Sequence, residues 1–239
     1  MRTDHHASSA KLDAGDVGYM AIDGVIFDLD GVLVDSEPLW EDVRHRFSLT
    51  HGGRWEADAQ RTMMGMSSGE WAEFMRTRLD VALPEREIVA RVVDDMAARY
   101  RDGVPLLPGA VDAVRRIAAR WPLGLASSAN RPLIDIVLAA TGLDVYFAAT
   151  VSSEEVPRGK PAPDVYLEVS RRLGIDPTHG AAIEDSTNGL LSALAAGLRV
   201  VAVPRAGFPP DPGVLARADA AIPDLEALTV EVVDPSPTG

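Results

Sequence analysis

Apolar positions in this chain follow two different rhythms. AIDGVIFD, residues 21–28, is short, rich in Ile, Val and Phe, and ends at an Asp-Gly turn, which predicts a strand over Ala21–Asp28. From 36 to 104 the spacing is helical. Ser36-Glu37-Pro38 supplies a helix start, with Leu39, Val43 and Phe47 on one face. Ser67-Ser68-Gly69-Glu70 has the form of a capping box ahead of Trp71, Phe74 and Met75. Pro84 opens a further helix with Ile88, Val92 and Met96 on one stripe. After Pro108-Gly109, helices and apolar strands alternate. Helices are expected over Val111–Ala119, Pro132–Ala140, Pro163–Leu173 and Asn188–Ala196. Strands are expected over Leu123–Ser127, Ala148–Ser152, Ala181–Glu184 and Arg199–Val203.

This alternation predicts an α/β fold, a doubly wound parallel sheet, interrupted by a separate helical module. The expected division is a polar tail over 1–19, a core from 20–35 and 105–231, the helical module at 36–104, and a loose Pro-rich tail from 232 to 239. Ligands of such sheets bind beyond the carboxyl ends of the strands. The first strand ends in Asp28 and Asp30, the second in Ser127 and Ser128, and the fourth in Glu184 and Asp185. Lys160 lies in a Gly-Lys-Pro turn before a helix. These residues are distant in the chain, yet the predicted fold gathers them at one edge.

Composition narrows the partners. With 36 acidic against 23 basic residues the net charge is −13, which disfavours nucleic acid and anionic membranes. A local Lys or a bound cation can still invert the field for a small anion. Cys is absent, which excludes disulfides, thiol catalysis and Cys-ligated zinc. No apolar run approaches the roughly 20 residues of a membrane span, and the first 19 residues lack a signal-peptide core. The expected setting is cytoplasmic and the expected assembly a monomer or weak homodimer. His5 and His6 read as part of the polar tail. His45, His51 and His179 have no metal-site spacing.

Carboxylates crowded at buried strand ends repel one another unless a cation joins them. Mg²⁺ prefers oxygen ligands; Asp28, Asp185 and Glu184 can supply them, with a main-chain carbonyl near Asp30. Lys160 and the Ser127 hydroxyl are donors suited to phosphate oxygens, helped by backbone N–H groups after Asp28 and Ser127. An Asp beside phosphate and metal can attack phosphorus. A second acid must then serve the leaving oxygen and the incoming water, and Asp30 suits that role.

These residues resemble a family. Asp28-Leu29-Asp30-Gly31-Val32-Leu33-Val34-Asp35 is similar to the first motif of the haloacid dehalogenase superfamily. Leu125-Ala126-Ser127-Ser128 resembles the second, Lys160 in Gly159–Asp164 the third, and Ile183-Glu184-Asp185-Ser186 with Gly189 the fourth. The order matches, over roughly residues 21 to 205, and the subgroup resembled is the β-phosphoglucomutase-like phosphatases. The resemblance implies that residues 36–104 are a cap. It implies that Asp28 is nucleophile and metal ligand, and that Asp30 is general acid/base with its carbonyl on the metal. Ser127, Ser128 and Lys160 would hold the phosphoryl group, and Asp185 and Glu184 would complete the Mg²⁺ site, Glu184 directly or through water. The implied partner is a small phosphorylated metabolite such as a sugar phosphate.

Other readings remain. A calcium loop starting at Asp28 meets Val32, Leu33 and Leu39 where oxygen, glycine and glutamate are needed. A phosphomutase of the β-phosphoglucomutase type shares the aspartyl-phosphate step, but its pattern has a His where this chain has Trp40. A 2-haloacid dehalogenase has no need of Asp30 or of an acid pair. A non-catalytic binding protein has no need of both Asp28 and Asp30. Candidate substrate contacts are Glu37, Trp40, Met66 and the loop Ala129-Asn130-Arg131; Arg54 and Arg61 are further candidates. Asp35 is expected to fix its loop by accepting backbone hydrogen bonds. Val34–Glu37 and Gly103–Pro108 are candidate hinges.

Overall fold

The computed structural model describes residues 21–236, so His5, His6 and the whole expected tail over 1–19, with residues 237–239 of the second, lie outside the described residues. Strand β1 (Gly24–Phe27) precedes four helices: α1 (Glu37–Thr50), α2 (Ala59–Met63), α3 (Ser68–Thr77) and α4 (Glu85–Asp102). The chain then alternates through α5 (Ala110–Ala118), β2 (Leu123–Ser127), α6 (Arg131–Thr141), β3 (Phe147–Ser152), α7 (Asp164–Leu173), β4 (Gly180–Glu184), α8 (Thr187–Ala195) and β5 (Arg199–Ala202). Helix α9 (Pro212–Leu215), strand β6 (Ala220–Ala221) and helix α10 (Val230–Val233) follow.

The six strands run parallel in the order β3-β2-β1-β4-β5-β6. This is a doubly wound α/β sheet. The chain winds outward from β1 to β3, returns to the centre, and winds the other way from β4 to β6. The reversal lies between β1 and β4, where a parallel sheet opens its ligand crevice. Helices cover both faces, so β1, β2 and β4 are buried at every position, and their apolar runs are continuous rather than alternating. No described helix is long and apolar enough to cross a membrane.

Residues 37–102 hold helices and, among the described residues, no strand of the sheet. The stripe Ile88, Val92, Met96 of α4 is buried, as are Trp40, Val43 and Phe47 of α1. Helix α4 packs on α1 and α3 and reaches α6 beside the sheet. Helix α3 starts with the expected capping box: Ser67 N–H donates to the Glu70 carboxylate at 2.7 Å, and Glu70 N–H to the Ser67 hydroxyl at 3.5 Å.

The structure departs from the sequence pattern at several ends. The first strand is shorter than Ala21–Asp28: its pairing with β4 begins at Gly24, with Asp23 N–H bonded to the His179 carbonyl just before β4, and the chain turns after Asp28. Strand β6 has two alanines and none of the β-branched residues that mark a strand. The tail expected to loosen from Val232 stays packed a little further: Val233 is buried, and Asp234 accepts from Ile22 N–H at 3.4 Å.

Close sheet–helix packing rests on Gly124 in β2. A Cβ there would stand 2.3 Å from a methyl carbon of Val169 on α7. Gly124→Ala is therefore expected to destabilise the protein by about 1–3 kcal/mol through overpacking. Urea unfolding at constant m-value reads this directly; an unchanged midpoint would contradict the packing described.

Candidate active site

β1 ends at Phe27, and the chain turns at once. Leu33 and Val34 both donate to the Leu29 carbonyl, and Gly31 N–H donates to the Val34 carbonyl at 2.8 Å. This tight loop aims Asp28 and Asp30 over the sheet edge. Gly31 is required twice. Its φ is +86°, and a Cβ would fall 2.0 Å from an oxygen of Asp185. From β4, Glu184 and Asp185 meet the loop across the reversal point. Gly189, in the first turn of α8, leaves room for the Glu184 carboxylate, which a Cβ would overlap at 1.8 Å.

Lys160 joins these strand ends. Its ammonium donates to Asp28 Oδ1 at 2.5 Å, Glu184 Oε1 at 2.6 Å and the Ala126 carbonyl at 3.1 Å. All three side chains are almost wholly buried. Burial alone lowers the Lys160 pKa, but Asp28 and Glu184 outweigh it and hold the ammonium above its ordinary range. Asp28 is raised by burial, opposed by Lys160 and reinforced by Glu184 and Asp30. Asp185 is raised by burial and by the charges of Glu184 and Asp28. Asp30 is raised chiefly by burial. One lysine thus faces more buried carboxyl groups than it can neutralise.

The donor set suits a hard divalent cation. Asp28, Glu184 and Asp185 each offer an oxygen, and these oxygens all lie within 4.8 Å of one another. Asp185 Oδ1 is buried with no hydrogen-bond partner, an acceptor that a cation would satisfy. A positive ion there would offset the repulsion that raises Asp28 and Asp185.

A cavity of about 580 Å³ opens above this cluster. Asp28, Asp30, Lys160, Asp185 and Ser128 form part of its lining, with Glu37, Trp40, Met66 and Asn130 from the candidate substrate contacts. Three of the expected site residues do not line the cavity. Ser127 is fully buried and absent from the lining; its hydroxyl accepts from Ala129 N–H at 3.0 Å and lies 3.5 Å from Asp30 Oδ2. Glu184 lies behind Lys160. One of its oxygens also accepts from Tyr166 at 3.0 Å, and the other accepts from the N–H groups of Asp185 and Ser186. Arg131 was expected in the substrate loop but is the first residue of α6. It turns to the protein surface, where Glu155 and the Thr150 hydroxyl, at 2.8 Å, hold it. Arg54 is likewise spent on Glu56 and Asp80, whereas Arg61 lines the cavity. Asp35 pairs with the Arg205 guanidinium rather than accepting backbone hydrogen bonds.

Sequence reasoning missed Tyr166, Arg44 and Gln60. Tyr166 is one buried hydroxyl on an apolar helix face beside Val165 and Val169. Arg44 interrupts the apolar stripe of α1, a signal that could have exposed it. Phe208, which lines the cavity from the loop after β5, carried no signal.

A model of the haloacid dehalogenase-like hydrolase family matches residues 22–197. Hexitol phosphatase B of Escherichia coli (strain K12) is 34% identical over 212 residues, covering 86% of this chain and 94% of that protein. Fructose-1-phosphate phosphatase YqaB of the same strain is 29% identical over 184 residues, 75% of this chain and 95% of that one. Among solved structures, CbbY from Rhodobacter sphaeroides in complex with phosphate superposes with a TM-score of 0.79 at 27% identity, covering 89% of this chain and 99% of that one.

Lys160→Met would leave Asp28 and Glu184 buried without their shared partner. The expected loss near neutral pH is about 3–5 kcal/mol in a metal-free buffer, read by urea unfolding. Wild-type stability in this variant would contradict the assigned charge balance.

Proposed function

The chain belongs to the haloacid dehalogenase-like hydrolases, and on that footing we propose that it is a Mg²⁺-dependent phosphatase of a small phosphorylated sugar, working through an aspartyl-phosphate. The observation that carries the reading is the pairing of Asp28 with Lys160 at the base of the cavity, with Asp185 beside them. Relatives named as hexitol and fructose-1-phosphate phosphatases support the substrate class.

Asp28, Asp185, the Asp30 carbonyl and Glu184 would hold the cation. When bound, the ion would screen the charge of the phosphoryl group from the carboxylates. Lys160 holds Asp28 Oδ1, which leaves Oδ2 to attack phosphorus. As that O–P bond forms, the bond to the sugar oxygen breaks and Asp30 gives that oxygen a proton. Burial, which raises the Asp30 pKa, favours the protonated form this step needs. Asp30 then takes a proton from water, the water oxygen attacks phosphorus, and inorganic phosphate leaves a regenerated Asp28 carboxylate. Ser128 and the N–H groups after Asp28 and Ser127 would orient the phosphoryl oxygens together with Lys160. The helical segment would act as a cap that excludes water during the first step. Asn130 already donates to Ser68 at 2.9 Å, a link from the sheet edge to that segment.

A phosphatase is favoured over a mutase by Trp40. A mutase must keep water off the phosphorylated enzyme and handle a second phosphate, and the family pattern for that places a His here. A dehalogenase would leave the Asp185 acceptor without purpose.

Asp28→Asn is expected to reduce phosphate release to background while circular dichroism shows a folded protein. Retained turnover would overturn the nucleophile assignment. EDTA is expected to silence the wild-type enzyme and Mg²⁺ to restore it, measured on the same phosphate ester; indifference to chelation would favour metal-free chemistry.

A further inference from the structure

The cavity has a second polar centre, built entirely from the helical segment. Glu37 and Arg44 come from α1 and Gln60 from α2. Gln60 Nε2 donates to a Glu37 oxygen at 2.7 Å, and its own carbonyl oxygen accepts from Arg44 at 3.3 Å. The amide therefore links a carboxylate to a guanidinium that form no direct ion pair. Arg44 is 5% exposed, and its Nε–H has no acceptor. The guanidinium carbon sits 4.4 Å from the Trp40 ring centroid and 5.0 Å from that of Trp71, which fixes it in place. Glu37, Arg44, Trp40 and Trp71 all line the cavity. Burial lowers the Arg44 pKa to about 10, with Glu37 and Asp30 acting against it, so the group stays cationic. A polar knot made only for stability would have its buried donors filled and would be sealed from the cavity.

Resting on the phosphatase reading, we propose that Glu37 and Arg44, positioned by Gln60 behind them, form the subsite that reads the leaving group, and that it takes adjacent hydroxyls on a polyhydroxylated carbon chain. A hydroxyl both donates and accepts. One can donate to Glu37 while its neighbour accepts from Arg44, matching the two ends of the linked trio. A carboxylate or second phosphate offers acceptors only and would face the Glu37 charge. A plain alkyl chain would leave the Arg44 Nε–H and the cavity-facing side of Glu37 desolvated with no hydroxyl to meet them, and polar sites reject such analogues strongly.

The test compares kcat/KM of the wild-type enzyme, with Mg²⁺, for a hexitol 6-phosphate, n-hexyl phosphate and 6-phosphogluconate. The hexitol ester is expected to exceed the alkyl ester by at least about 100-fold and to exceed the acid as well. Equal rates for the hexitol and alkyl esters, or a preference for the acid, would overturn the subsite. In Arg44→Met and Gln60→Met the hexitol-to-hexyl ratio is expected to fall at least about tenfold. A ratio unchanged in folded variants would overturn the subsite while leaving the phosphatase reading intact. If either variant fails to fold, the wild-type comparison still decides. Silence toward every ester, p-nitrophenyl phosphate included, would overturn both readings together.

Discussion

The arrangement depends on one electrostatic constraint: several buried carboxylates stand within a few ångströms of each other. Lys160 makes this tolerable by touching Asp28 and Glu184 at once. Other features follow from it. Gly31 and Gly189 leave the space that the Asp185 and Glu184 carboxylates fill. Tyr166 and the first N–H groups beyond β4 add hydrogen bonds to the Glu184 carboxylate. What they leave over are the Asp28 and Asp185 carboxyl groups, which burial and mutual repulsion make costly to ionise, and a cation would offset that cost.

The sheet order makes the crowding possible. Because the winding reverses between β1 and β4, two strands that are distant in the chain end side by side. Each contributes acids at its carboxyl end, where the helices diverge and a ligand can enter. The helical segment then roofs the crevice with side chains of another character, Trp40, Trp71 and the methionines around Gly65. On the proposed reading the sheet supplies the chemistry, and selection among esters falls to the roof, where Gln60 links Glu37 to Arg44.

Much of this was legible in the sequence because buried parallel strands leave short apolar runs with chemistry at their ends. Asp28, Asp30, Glu184 and Asp185 stand out that way, and Lys160 by its Gly-Lys-Pro turn before a helix. What was not legible depended on tertiary partners. Arg131 reads as a loop residue facing substrate, yet Glu155 and Thr150 pull it to the surface. Ser127 and Ser128 are adjacent in a strand end, so the pleat sends one into the core and the other to the cavity, and sequence alone does not say which. Arg44 breaks the apolar stripe of α1, but the two indoles that hold it come together only in the folded chain.

The most direct measurement is phosphorus NMR of the enzyme with Mg²⁺ and a panel of phosphorylated sugars that includes both glucose 1-phosphate anomers and glucose 6-phosphate. The account predicts free inorganic phosphate, with the ester falling as the phosphate signal grows. Interconversion of the glucose phosphates without release would contradict it. The aspartyl-phosphate would then be passing its phosphoryl group to a second sugar hydroxyl rather than to water.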